Sequence, residues 1–261
     1  MREIGGIQSM KIAFSDYDGT LSVPEEGVAT ETIASIHAWR DAGNKFGIVT
    51  GRDYSLIDKE ARAYQIPVDF YICCNGAAIH ETDGSVISST PLSYDIMKAF
   101  FPSQHVLNYT DGMLFFTPEQ AYTYRLRTDV PASFLTPLNS IEDAMNLKDV
   151  VQIGMRFRDT EEAVKAFAAI EEDFPQQFTG NINRQFLDLN HASVNKSTGI
   201  ETLIQWKRWD SAELLIIGDD RNDLVMIEKY KGFTVQRAQS FMHEAAYAVY
   251  GSVGAMLRDH L

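Results

Sequence analysis

The chain has 261 residues, enough for one large domain or for a core that carries an inserted one. A hydrophobic share of 45% with 23% charged residues is that of a globular protein, and no run approaches the roughly 18 consecutive apolar residues a membrane span needs. The formal charge of -13 disfavours a nucleic-acid partner and requires a site for a small anion to bring its own positive charge.

From the N-terminus, Met1 to Met10 lacks the basic start, apolar run and cleavage site of a signal peptide and reads as a short tail, so the cytoplasm is the expected compartment. The first apolar run, Ile12-Ala13-Phe14, stops at acidic and glycine residues, which suits a buried parallel strand. Ala29 to Ala42 then places Ile33, Ile36 and Trp39 at helical spacing before Gly43-Asn44. Phe46 to Val49 is a second strand, Asp53 to Tyr64 a helix, and Phe70 to Cys74 a third strand ending at Asn75-Gly76. The adjacent Cys73 and Cys74 read as buried strand residues, since neighbouring cysteines bridge only with strain and two thiols make no tetrahedral metal site.

Beyond about His80 the rhythm changes. Gly84 to Ser88, Met113 to Phe116 and Val150 to Phe157 read as strands with partial alternation, and Tyr94 to Phe101 and Thr160 to Asp173 as helices. Such alternation predicts an antiparallel or mixed sheet. The aromatic segments Tyr109 to Phe116 and Tyr122 to Tyr124 read as its core. The β-α rhythm returns with a helix from about Asn195 to Trp209, a strand at Leu214 to Ile217, a helix at Asn222 to Lys229 and a strand at Gly232 to Val235. Helices at Gln239 to Ala246 and Val253 to Leu261 close the chain. The expected fold is α/β: a doubly wound, mainly parallel, Rossmann-like core sheet over 1–79 and 190–261, with an α+β cap inserted at 80–189.

Three strands end in chemistry: Ser15-Asp16-Tyr17-Asp18-Gly19-Thr20, Thr50-Gly51-Arg52, and Gly218-Asp219-Asp220-Arg221-Asn222-Asp223. An open α/β sheet gathers such segments at the carboxyl ends of its strands. Asp16 and Asp18, two apart, are expected to point to one side, and Asp219 adds a third carboxylate. Acids so gathered call for a cation, and hard oxygen ligands with room for water and substrate suit Mg²⁺. A phosphate then fits: the Thr50 hydroxyl and the Gly51 amide donate to it, and Lys196, at a helix start, neutralises charge. One carboxylate can act as nucleophile and the other as acid and base.

Each piece alone has a plainer reading. Asp-x-Asp-Gly occurs in turns, and the Gly218 to Asp223 run could simply cap a helix. Their joint placement at strand ends and helix starts carries the argument. In that arrangement the chain resembles the haloacid dehalogenase superfamily, specifically Cof-type phosphatases with a large type IIB cap. Asp16 to Thr20 matches the family's Asp-x-Asp-Gly-Thr, Thr50 its second-motif threonine, Lys196 its lysine, and Gly218 to Asp223 its Gly-Asp-x-x-Asn-Asp. Asn75-Gly76 resembles the exit into the cap; Ser197 and Tyr17 depart from the usual glycine and aliphatic residue.

The resemblance implies an enzyme: a Mg²⁺-dependent phosphomonoesterase acting on a small phosphorylated metabolite such as a sugar phosphate through an aspartyl-phosphate. Asp16 would be nucleophile and metal ligand, and Asp18 the acid/base, binding metal through its backbone carbonyl. Asp219 would complete the metal ligands with Asp223 in support. Thr50, Gly51, Lys196 and Asn222 would hold the phosphoryl group. Arg52, His191 and Arg156 are candidate substrate contacts, each with a structural alternative; no obligate protein partner is evident. A phosphotransferase such as a hexose phosphomutase on the same core is the rival reading. A non-catalytic phosphometabolite-binding protein is a further one, which the presence of every reacting residue disfavours.

Overall fold

The computed structural model describes residues 10–125 and 132–261; the expected tail before Met10 lies outside them. β1 (Lys11–Ser15), α1 (Thr30–Asp41), β2 (Lys45–Val49), α2 (Tyr54–Ala63) and β3 (Phe70–Cys73) follow the expected order. A 3₁₀ turn, Cys74–Gly76, then leads into a hairpin of β4 (Ala78–His80) and β5 (Val86–Ser89). The middle of the chain forms α3 (Tyr94–Phe100), α4 (Gln104–Leu107), β6 (Met113–Phe116), β7 (Ala121–Tyr124), β8 (Leu135–Leu138), α5 (Ile141–Met145), β9 (Gln152–Arg156), α6 (Thr160–Asp173), β10 (Phe178–Asn183) and β11 (Phe186–His191). α7 (Lys196–Lys207), β12 (Glu213–Gly218), α8 (Leu224–Tyr230), β13 (Phe233–Val235), α9 (Ser240–Ala245), β14 (Ala248–Tyr250) and α10 (Val253–Asp259) complete it.

Two sheets result. The first has eight strands in the order β14-β13-β12-β1-β2-β3-β4-β5. It is parallel from β14 to β3 and antiparallel through the hairpin. The parallel strands are apolar on both faces because helices cover both. Ile12, Phe14, Val49 and Ile72 pack with Ile200 and Leu203 of α7 and with Met226 and Ile227 of α8. Ala13, Phe46, Ile48 and Leu215 turn the other way, against Ile36 and Trp39 of α1, Ile57 of α2 and Met256 of α10. This is the doubly wound α/β arrangement the apolar runs predict.

The second sheet, β10-β11-β9-β6-β7-β8, is antiparallel except for the β7–β8 pair, as the alternating pattern predicts. Phe115, Ile153, Met155, Leu187 and Leu189 face the helices of the insert. Leu114, Phe116 and Val151 lie on the opposite side and join the core of the first sheet. The strands of the eight-stranded sheet continue past residue 79 to Ser89, and those of the six-stranded sheet run to His191.

The turn after β3 shows why the fold needs small residues at this point. Cys74 and Asn75 adopt φ of 51° and 56°, and Gly76 one of 105°. A Cβ on Gly76 would lie 2.2 Å from the Asn195 carbonyl, and one on Gly199 only 2.7 Å from the Gly76 Cα. The two glycines let the turn and α7 touch backbone to backbone, which sets the start of α7 under the sheet edge. Both cysteines are buried and free, but Cys74 opens the 3₁₀ turn rather than extending the strand. Burial raises both thiols above their ordinary range, which makes them poor nucleophiles.

Candidate active site

β1 and β12 pair in parallel, so the residues that follow them emerge side by side; the Asp16 amide donates to the Ile217 carbonyl at 2.9 Å. Asp16 is buried at the end of β1. Lys196 is the first residue of α7, set by a capping box in which the Asn195 side chain accepts from the Thr198 amide and Thr198 returns a bond to the Asn195 amide. Its Nζ donates to Asp16 Oδ1 and to Asp223 Oδ1, both at 2.6 Å. The other Asp223 oxygen accepts the amides of Asp219 at 3.0 Å and Asp220 at 3.1 Å. Asp219 Oδ1 accepts from the Thr20 hydroxyl at 2.5 Å. Gly19 makes this approach possible: with φ of 89°, it passes so near Asp219 that an added Cβ would sit 2.2 Å from Oδ2.

Asp16, Asp219 and Asp223 each offer an oxygen, all within 4.8 Å of one another. This donor set is all hard carboxylate oxygen, with no histidine or thiol, and it fits a small divalent cation such as Mg²⁺. Electrostatics point the same way. Burial raises the Asp16 carboxyl well above its ordinary value; Lys196 opposes the rise, while Asp223, Asp219 and Asp18 add to it. Asp219 is pushed up to about 6 by burial, with Asp223 contributing and the Thr20 bond opposing. Burial favours a neutral Lys196, yet Asp16 and Asp223 hold its ammonium above the usual lysine range. One buried cation among several carboxylates leaves an excess of negative charge that a second cation would neutralise.

Asp18 does not share the direction of Asp16. Its carboxylate turns outward onto Arg52, which donates from Nε to Oδ2 at 2.7 Å and from Nη2 to Oδ1 at 2.6 Å. Arg52 also pairs with Glu60 and lies 5.0 Å over the Tyr17 ring, and the Tyr17 hydroxyl donates to Glu60 at 2.7 Å. Tyr17 in place of an aliphatic residue thus builds the floor under Arg52. Thr50 is buried at the end of β2, where its Oγ1 accepts the Arg52 amide at 3.2 Å.

Other expected residues fall differently. Asn222 lies beside the cluster and donates to Asn75 Oδ1 at 3.1 Å. His191 ends β11 and shares a 2.8 Å bond with the Ser193 hydroxyl. Arg156 ends β9 and pairs with Asp111 at 2.7 Å. From the same strand Gln152 reaches the Thr50–Arg52 loop, donating to the Gly51 carbonyl at 3.1 Å, with Asn75 and Asn190 around it. The available signal was a lone amide in an apolar strand, as in Val151-Gln152-Ile153 and Leu189-Asn190.

The conjunction of Asp16, Thr50, Lys196 and Asp219 at one sheet edge has a counterpart among known proteins: a family model for haloacid dehalogenase-like hydrolases matches residues 13–254. The chain belongs to the haloacid dehalogenase-like hydrolases. Within this family it is similar to YxeH of Bacillus subtilis strain 168, with 26% identity over 236 residues covering 84% of each chain. It is 24% identical over 236 residues, 82% of each chain, to the pyridoxal phosphate phosphatase YbhA of Escherichia coli K12. Its fold matches that of BT4131, a sugar phosphatase of haloacid dehalogenase subclass IIB, with a TM-score of 0.78 and 22% identity over 96% of this chain and 97% of that one. The chain shares with that structure the fold of a core sheet carrying an inserted cap. Among the described residues no helix is long and apolar enough to cross a membrane.

Proposed function

We propose that this hydrolase is a cytoplasmic phosphomonoesterase that transfers the phosphoryl group of a small metabolite to Asp16 and then to water. The observation that carries the reading is the buried Lys196, held at 2.6 Å from both Asp16 and Asp223 beside Asp219. A buried lysine with two buried carboxylates and a third, half-buried one beside them makes a costly arrangement for stability alone, and one suited to an anionic substrate plus a metal.

Asp16 and Asp219, with Asp223 and the Asp18 carbonyl in support, would hold Mg²⁺, which when bound neutralises charge on the phosphoryl oxygens. Thr50 is ready to donate: its Oγ1 already accepts the Arg52 amide, which leaves its proton free for a phosphoryl oxygen. The Gly51 amide, Asn222 and the Lys196 ammonium complete the cradle. An Asp16 oxygen attacks phosphorus in line as the bond to the ester oxygen breaks, and Asp18 gives its proton to the departing alkoxide. Asp18, now a carboxylate, takes a proton from water; the resulting hydroxide attacks phosphorus, and the bond to Asp16 breaks to release phosphate. Because Arg52 holds Asp18 from two sides, this role requires that pairing to open when substrate enters. Asp16 reacts as the carboxylate, which the Lys196 ammonium favours against burial.

The cap would close over the substrate and supply contacts to its leaving group. The similar sugar phosphatase and pyridoxal phosphate phosphatase support a sugar phosphate or a comparable small phosphorylated metabolite as the substrate class. Release of phosphate from an aryl phosphate tests the reading. We expect turnover with Mg²⁺, loss of turnover on chelation, and none for Asp16→Asn; full activity in chelator or in Asp16→Asn contradicts it.

A further inference from the structure

Gln152 lies at the start of β9, in the sheet of the insert, yet its side chain is bonded to the core. Its Nε2 donates to the Gly51 carbonyl at 3.1 Å. Its Oε1 accepts from Asn75 Nδ2 at 3.1 Å and from Asn190 Nδ2 at 3.3 Å. Asn75 Oδ1 in turn accepts from Asn222 Nδ2 at 3.1 Å. Asn75, Gln152 and Asn190 are all buried. Where water is absent, each amide must point one way, since reversing one would set donor against donor.

We infer that Gln152 is a cap-borne positioning residue for the Thr50–Arg52 loop, holding the Gly51–Arg52 peptide so that Thr50 and Gly51 present their donors to a phosphoryl group. The inference rests on the phosphatase reading above. Gly51 contributes its carbonyl to the same peptide group that supplies the Arg52 amide, and that amide binds Thr50 Oγ1 at 3.2 Å. A donor on the carbonyl side therefore fixes the plane of the peptide, keeps the Arg52 amide on Thr50, and directs the Thr50 proton outward. The rest of the loop is pinned from the core, through the Cys74 amide to the Arg52 carbonyl and the Asn75 amide to the Thr50 carbonyl, both at 2.9 Å. The Gly51 carbonyl is the point left for the cap. Asn75 and Asn190 hold the Gln152 oxygen, so its amide nitrogen has one direction in which to donate. The phosphate loop is then fully ordered only when the cap sheet is seated, and the same amide chain reaches Asn222 in the loop after β12.

The test compares inorganic phosphate affinity by calorimetry in Mg²⁺ with kcat and KM on an aryl phosphate, for the native chain, Gln152→Met and Gln152→Glu. Phe115→Leu, in the cap core away from the site, controls for a loss of cap stability. Gln152→Met removes both halves of the bridge. Gln152→Glu keeps the acceptor for Asn75 and Asn190 but has no proton for Gly51 when ionised. Both are expected to weaken phosphate binding about tenfold, the order of one well-formed hydrogen bond. KM is expected to rise by a similar factor, while Phe115→Leu lowers stability and leaves phosphate affinity unchanged. If Gln152→Met does not fold, Gln152→Glu carries the comparison. Native-like phosphate affinity in a folded Gln152 variant, or an equal loss in Phe115→Leu, overturns the inference while the phosphatase reading stands. Absence of turnover in the native chain removes both.

Discussion

Lys196 is closed off from water between two carboxylates, each 2.6 Å away, and neither Asp16 nor Asp223 has solvent to share its charge. Removing the ammonium would leave two buried anions uncompensated, a loss that in buried pairs runs to about 3–5 kcal/mol. Lys196→Met is therefore expected to lose stability on that order in urea unfolding at neutral pH, besides losing turnover. The deficit should shrink in acid, as Asp16 takes up a proton. A stability equal to the native chain at neutral pH would show that the pair is not ionised as described. Arg52 and Asp18 form the opposite kind of pair: bidentate and partly exposed, it contributes little to stability and is suited to being broken by substrate.

At the level of elements, the exit from β3 joins site and cap within a few residues. The 3₁₀ turn carries Asn75 toward Gln152 and Asn222, and β4 then returns antiparallel to β3. His80 ends β4, buried and stacked 4.5 Å from the Tyr54 ring, and its Nε2 meets no partner among the described residues. Burial lowers its pKa below 6.5, against smaller opposing effects from the Gly84 carbonyl and Asp53. Above pH 6.5 both folded and unfolded chains carry a neutral imidazole and the stability is intact. As pH falls through 6.5 the unfolded chain takes a proton that the folded chain resists, so stability declines until the depressed folded value is passed. Urea midpoints between pH 7.5 and 5.5 should fall less steeply in His80→Phe than in the native chain; identical slopes would contradict the assignment. The hairpin itself was only partly legible. Ala78–His80 follows β3 too closely to stand out as a separate strand, and the sequence pattern reads as a third strand ending at Asn75-Gly76 with the next at Gly84 to Ser88.

Taken whole, the molecule is an acidic chain whose buried lysine lies where the parallel strands end. The parallel core was legible because its strands are buried on both faces and show as continuous apolar runs, and because acids at strand ends interrupt them abruptly. The cap was less so: β7, β8, β10 and β11 are short, half-exposed strands whose pairing depends on partners far along the chain. For the same reason Gln152 and Asn190 escaped a reading tuned to charge, whereas Arg156 drew attention by its charge and pairs with Asp111. The outward turn of Asp18 depends on Arg52, Glu60 and Tyr17 meeting in space, which no spacing encodes. The central claim is that Asp16 becomes phosphorylated. Rapid acid quench of Asp18→Asn with an aryl phosphate and Mg²⁺, followed by peptide mass mapping, tests it most directly, since loss of the base should slow release of the acyl-phosphate and let it accumulate. The account predicts one phosphoryl group on Asp16 and none in the Asp16→Asn, Asp18→Asn double variant. Phosphate released by Asp18→Asn with no label at Asp16, or label retained in the double variant, would contradict it.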